Sequence, residues 1–254
     1  MDHQIDRRTF LKTVPVLTVL AAEASTFAQD IRKEQPSTQP AGSGAASTGS
    51  LQPITLPKPQ QDGGKSVLAA LWERKTNREI SDKKLTPQEL SNLLWAAFGV
   101  NREHGPIGGI GRTAASASNS QEIDLYAVMP EGIYLYEAVP HRLVPVVVGD
   151  HRDKVGGHRR TSAATKAPIS LVFVVDIAKY SKAGFQEPGL KDPEIQKSYY
   201  NVATGLISGN IYLFAASQGL AAWFHNCDKP GLAKALNLRG DQRVLFAQTV
   251  GYPA

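Results

Sequence analysis

The chain has 254 residues, a formal net charge of +5 and a single cysteine, Cys227. That length allows one large domain with a substantial core, and one cysteine excludes an intrachain disulfide, so stability must come from packing or from a partner chain. Several of the cations lie in the N-terminal segment and no basic stripe interleaved with aromatics follows, so the charge leaves no footprint for nucleic acid.

The elements follow in chain order. Asp6-Arg7-Arg8-Thr9-Phe10-Leu11-Lys12 precedes a mildly apolar run from Thr13 to Ala22 and then Thr26-Phe27-Ala28, which suits cleavage. This is the pattern of a twin-arginine export signal over residues 1–28, and it predicts a periplasmic or otherwise exported protein. The apolar run is too short to span a bilayer, so no integral membrane span is expected. Residues 29–64 are rich in Pro, Gln, Ser, Gly and Ala without hydrophobic periodicity and predict a disordered arm ahead of a domain at 65–254.

Val67, Leu68, Leu71 and Trp72 recur at helical spacing from Ser66 to Arg74. Thr86-Pro87-Gln88-Glu89 is a capping box with proline at the first helical position, and Leu90, Leu94, Ala97 and Phe98 form one face until Gly99. Gly105 to Gly111 reads as a flexible loop near the site. Strands are expected at Ile123–Val128, Gly132–Glu137 and Leu143–Val148. The unbroken apolar run Ile169–Val175 predicts a strand buried on both faces. Ser198–Ser217 is a long helix, apolar so far round that it must be buried nearly all round. Leu220–Phe224, Lys229–Leu236 and Val244–Val250 then read as strand, helix and strand. The sum is an α+β domain with a central mixed or antiparallel sheet flanked by helices, without the alternation of a doubly wound fold.

Two polar stretches carry the candidate chemistry. Arg74, Lys75 and Thr76, at the end of the first helix, bring cations and a hydroxyl donor together as a phosphate requires. In Ser116-Ala117-Ser118-Asn119-Ser120-Gln121, the Asn119 amide both donates and accepts, which suits the edge of a flavin ring. His104, His141, His151 and His158 offer no i, i+4 pair with a third ligand, so no metal is expected. No Gly-x-Ser-x-Gly elbow or P-loop supports hydrolysis or phosphoryl transfer.

The order of these stretches resembles the FMN-dependent nitroreductase family, including its azoline-oxidising branch, over roughly residues 64 to 253. The resemblance implies that Arg74-Lys75-Thr76-Asn77-Arg78 holds the FMN phosphate and the pyrimidine end of the ring. Arg78 would lie near N1 and O2, where a cation stabilises the reduced anion. Ser116, Ser118, Asn119 and Gln121 would complete the cofactor site. The stretch from Ser208 to Leu220 is similar to the family's central helix, which implies a homodimer, and Val250-Gly251-Tyr252-Pro253 resembles its last strand.

The chain also departs from that pattern. Ala115 replaces the usual proline, and Phe224-His225-Asn226-Cys227 stands where a Glu-Gly loop normally meets flavin N5. His225 and Asn226 are the residues expected there, with His225 a donor to flavin or substrate or, equally, a packing histidine. Cys227 beside His225 is either a thiol nucleophile or a small buried residue. With the chain ending at Ala254, the phosphate would rely on Arg74, Lys75 and the loop His158-Arg159-Arg160. The expected function is an exported FMN oxidoreductase cycling between reduced and oxidised flavin with a small organic or quinone-type substrate. The competing reading is a flavin-binding scaffold that has lost turnover.

Overall fold

The computed structural model describes residues 50–105, 107–156 and 162–254. The twin-arginine segment and the His158-Arg159-Arg160 loop lie outside the described residues. Seven strands form one sheet in the order β1-β6-β5-β4-β7-β9-β8: β1 (Ile54–Thr55), β4 (Ile123–Met129), β5 (Gly132–Glu137), β6 (Arg142–Val148), β7 (Ile169–Asp176), β8 (Ala221–His225) and β9 (Gln242–Gly251). Every pairing within it is antiparallel. A separate two-stranded hairpin, β2 (Val100–Arg102) and β3 (Gly111–Arg112), flanks the glycine-rich loop.

The central strand shows how the sequence sets the layers. All eight residues of β7 are buried. Ile169, Leu171, Phe173 and Val175 face one core with α2 (Pro87–Phe98) and α5 (Pro193–Gln218), while Val172 and Val174 face a second core with α6 (Lys229–Ala235). A two-residue side-chain period therefore produces helices on both faces of the sheet. The Thr86 box forms as its spacing requires: the Glu89 N–H donates to Thr86 Oγ1 at 3.2 Å and the Thr86 N–H to Glu89 Oε2 at 2.8 Å.

Three expectations change. Helix α5 starts at Pro193, five residues before Ser198, because Asp192 Oδ1 caps the N–H groups of Glu194 and Ile195; Gly219, at φ 70°, closes it. Its burial is one-sided. Tyr200, Ala203, Ile207, Ile211 and Ala215 face the core, whereas Val202 is 61% and Leu206 45% exposed. The apolar face of α1 (Val67–Glu73) is likewise turned outward, with Trp72 91% exposed and only Ala70 buried.

The third change concerns the arm, of which residues 50–64 pack on the domain. Strand β1 pairs with β6, Leu56 joins the core, and Gln60 exchanges two hydrogen bonds with Asn92. The arm lacks hydrophobic periodicity because it is held by isolated side-chain and backbone contacts, which leave no repeating signal.

Candidate active site

The segment Arg74–Arg78 runs from the end of α1 along the edge strand β8, where the Asn77 N–H donates to Ala222 O at 2.9 Å. Tyr212, on α5, organises it. Its hydroxyl accepts from the Phe224 N–H at 2.8 Å and lies 3.1 Å from Thr76 Oγ1, while the Arg74 guanidinium sits 5.4 Å over its ring. Arg78 lies 5.5 Å over Trp223 and makes no ion pair with Glu79 or Asp82. Lys75 lines a 260 Å³ cleft with Tyr212, Ala216 and Gly219. Three cations within five residues thus stand without a carboxylate partner among the described residues, an arrangement that a dianionic phosphate fits. Tyr212 and Trp223 carry this geometry and escaped the sequence reading. Only Tyr212's polar hydroxyl within an apolar helix could have signalled it.

The second stretch forms a tight turn with Ser118, Asn119 and Gln121 at φ 50°, 54° and 51°. Three non-glycine residues in the left-handed region are a local strain held by surrounding contacts. Asn119 Nδ2 donates to Gly108 O and Ile110 O, so the glycine-rich loop expected to be flexible is anchored to the motif. Gln121 Nε2 donates to Asn119 Oδ1 and Ile110 O, the Gln121 N–H donates to Ser116 Oγ, and Gln121 Oε1 accepts from half-buried Arg112 at 2.7 Å. Ser118 contributes its carbonyl to Gly184 N–H. The amides of the motif therefore build the loop itself, and Arg112 is a supporting residue the sequence did not reveal.

No hydrogen bond, ion pair or ring contact joins the two stretches within one chain among the described residues. Ala117 packs in the cluster of Tyr180 and Tyr199, whereas Thr76 touches Tyr212. Tyr199 and Tyr212 are thirteen positions apart on α5, which at helical rise is about 20 Å along its axis.

His225 is buried, and both ring nitrogens are occupied: Nδ1 lies 2.8 Å from Asn226 O and Nε2 2.8 Å from Thr249 Oγ1, itself bonded to Ser170. A carbonyl only accepts, so Nδ1 carries the hydrogen and Nε2 accepts from the Thr249 hydroxyl. The side chain of Asn226 is exposed just beyond β8. Burial pushes the Cys227 thiol up to about 12, which leaves it protonated and unreactive. No group of His, Cys, Asp and Glu able to hold a metal occurs among the described residues, and no described helix is long and apolar enough to cross a membrane.

His141 is held in the same manner. Ser91 Oγ donates to Pro57 O, so it accepts from His141 Nε2–H at 2.7 Å, and Nδ1 accepts from the Tyr136 hydroxyl at 2.9 Å. Burial lowers the pKa of both His141 and His225. The folded values fall below the unfolded value of about 6.5, so the stabilisation is complete above that pH and is lost as pH falls, when the unfolded chain takes up protons the fold refuses. The urea midpoint should therefore drop between about pH 7.5 and pH 5.5. The His141→Asn variant, which tolerates the left-handed backbone, should show a shallower drop.

Residues 71–252 match the nitroreductase family, and the chain belongs to it. It is thus an oxidoreductase of a family that typically binds FMN, acts on small substrates and often forms dimers. A crystal structure of an assigned nitroreductase from Ralstonia eutropha JMP134 superimposes with a TM-score of 0.70 at 33% identity, covering 80% of this chain and 90% of that one. A Methanocaldococcus jannaschii protein assigned to the nitroreductases is 28% identical over 162 residues, 59% of this chain and 73% of the relative. The NADPH:FMN oxidoreductase of Vibrio harveyi, solved with NAD+, shares the fold at a TM-score of 0.52 and 15% identity, covering 74% of this chain and 68% of that one.

Proposed function

We propose that the protein is an FMN-dependent oxidoreductase whose cofactor cradle is assembled by two copies of the chain. One copy supplies Arg74, Lys75, Thr76 and Arg78, and the other supplies Ser116, Ser118, Asn119 and Gln121. The observation that carries this reading is the separation of the two stretches along α5, combined with the outward apolar faces of α1 and α5. Asn201, Val202, Gly205, Leu206 and Gly209 make an exposed stripe at successive turns. A side chain built on Gly205 or Gly209 meets nothing within 4 Å in one chain. Bare glycines flanked by exposed apolar residues suit close packing against the same helix of a second copy.

Bound FMN would supply the hydride or electrons, and the chain's work is placement and tuning. Arg74 and Lys75 would neutralise the phosphate, with Tyr212 fixing the direction of Arg74 and Thr76. Arg78, aligned by Trp223, would place positive charge at the pyrimidine end of the ring. His225 is assigned to orienting the strand beneath the ring, since its nitrogens are committed to Asn226 and Thr249. The substrate is a small organic or quinone-type acceptor. A visible spectrum of the purified protein should show flavin bands at one FMN per chain; a colourless protein that does not take up added FMN would overturn the reading.

The Arg7-Arg8 motif supports export by the twin-arginine route. Cell fractionation should find the protein in the periplasm, and the Arg7→Lys, Arg8→Lys variant in the cytoplasm. An unchanged distribution would contradict export.

A further inference from the structure

A cavity of 690 Å³ opens on the side of α5 away from Tyr212. Asn210 and Phe214, which line it, lie about 200° around the helix from Tyr212. Its size is that of a small-molecule site. One wall is the arm segment Gln60–Lys65, which lies outside the family match of residues 71–252. The arm is clamped at both ends: Gln60 bonds to Asn92 on α2, and Lys65 exchanges hydrogen bonds with Ser217 through its N–H and its carbonyl. The opposite wall includes Thr113, three residues before Ser116, whose carbonyl accepts from Asn210 Nδ2.

The lining has one dominant chemistry. Gln60, Gln61, Asn92, Asn101, Asn210 and Gln218 all present carboxamides, with Trp95 beside them. Those of Gln61, Asn101 and Gln218 make no hydrogen bond among the described residues, so they remain available to donate and to accept. Charge points the same way. Asp62 is an anion at the rim, and Lys65 is committed to Glu73 in an ion pair. The lining thus offers no uncommitted cation to offset the cost of desolvating an anionic ligand.

We propose that this cavity binds the non-reacting end of the substrate and selects neutral hydrogen-bonding groups, carboxamides above all, over carboxylates. The inference rests on the FMN reading and names the substrate class of that site. Specificity then resides partly in an arm that other members of the family need not share.

Two nearly isosteric probes test it, 4-nitrobenzamide and 4-nitrobenzoate. In each, the nitro group takes two electrons and two protons from reduced FMN and becomes a nitroso group with release of water. Holoprotein is reduced anaerobically with one equivalent of dithionite and mixed with each probe, and flavin reoxidation is followed by stopped flow. Rates are divided by those for free reduced FMN, which removes the probes' intrinsic difference. The expected result is a preference for the amide of about 10-fold or more, falling toward unity in Gln61→Lys through faster reaction of the benzoate. Equal normalised rates in the wild type, or a ratio unmoved by Gln61→Lys, would overturn the inference while leaving the FMN reading intact. A preparation that holds no flavin overturns both.

Discussion

Replacing Arg74 by alanine is expected to weaken FMN binding by about 10- to 100-fold, the loss typical of a hydrogen bond between charged partners. Apoprotein titrated with FMN, read by quenching of flavin fluorescence, measures it. The fold should not notice the change. Arg74 is exposed, has no ion pair among the described residues and lays its guanidinium over the face of Tyr212, so its removal is expected to leave no buried group unsatisfied. Arg74→Lys should recover part of the loss, because it restores the charge without the planar fork that meets two phosphate oxygens. An unchanged affinity in Arg74→Ala, with unfolding midpoint also unchanged, would remove the phosphate from this end of the cradle.

A larger effect is expected from Leu206→Glu. Leu206 is 45% exposed on α5, in line with Val202, Gly205 and Gly209, so a carboxylate there is solvated in the single chain. Between two copies it would be buried without a cation, a penalty of several kcal/mol paid twice across a symmetric contact. The dimer should dissociate, by more than about 100-fold in dissociation constant. Flavin should be lost with it, because each cradle would be left with half its residues. Sedimentation velocity with detection at the flavin band reads both quantities together. A variant that sediments as a monomer and keeps its FMN would show that the cradle is complete in one chain.

Much of this was legible in the residues, where the signal is local and periodic. The β7 run, the Thr86 box and the apolar spacing of α1 and α5 all specify their elements. What periodicity cannot state is which surface does the burying. Trp72, Leu68 and Val202 form apolar stripes at the expected positions, yet they face away from the chain's own core. The same limit applies to the site. Arg74–Arg78 and Ser116–Gln121 are readable as motifs, but their separation along α5 depends on tertiary placement. Tyr212 and Trp223 act on the first motif from distant positions, and Arg112, nine residues before Gln121, reaches the second through a loop that no periodic spacing encodes. The arm from Ser50 to Gly64 lacked a periodic pattern because single contacts such as Leu56 in the core and Gln60 on Asn92 hold it in place.

Subunit complementation tests the shared cradle most directly. Arg74→Ala removes a cation from one half, and Asn119→Gly removes the amide from the other while keeping the left-handed backbone that Asn119 adopts. The two variants are co-expressed with different affinity tags, the mixed dimer is purified through both, and its flavin content is measured. In a shared cradle, one of the two sites of the mixed dimer combines an intact Arg74 with an intact Asn119 from the other chain. One tightly held FMN per mixed dimer is expected, against FMN held at least about 10-fold more loosely in either variant alone. A mixed dimer whose two sites are both as weak as those of its parents would contradict the shared cradle.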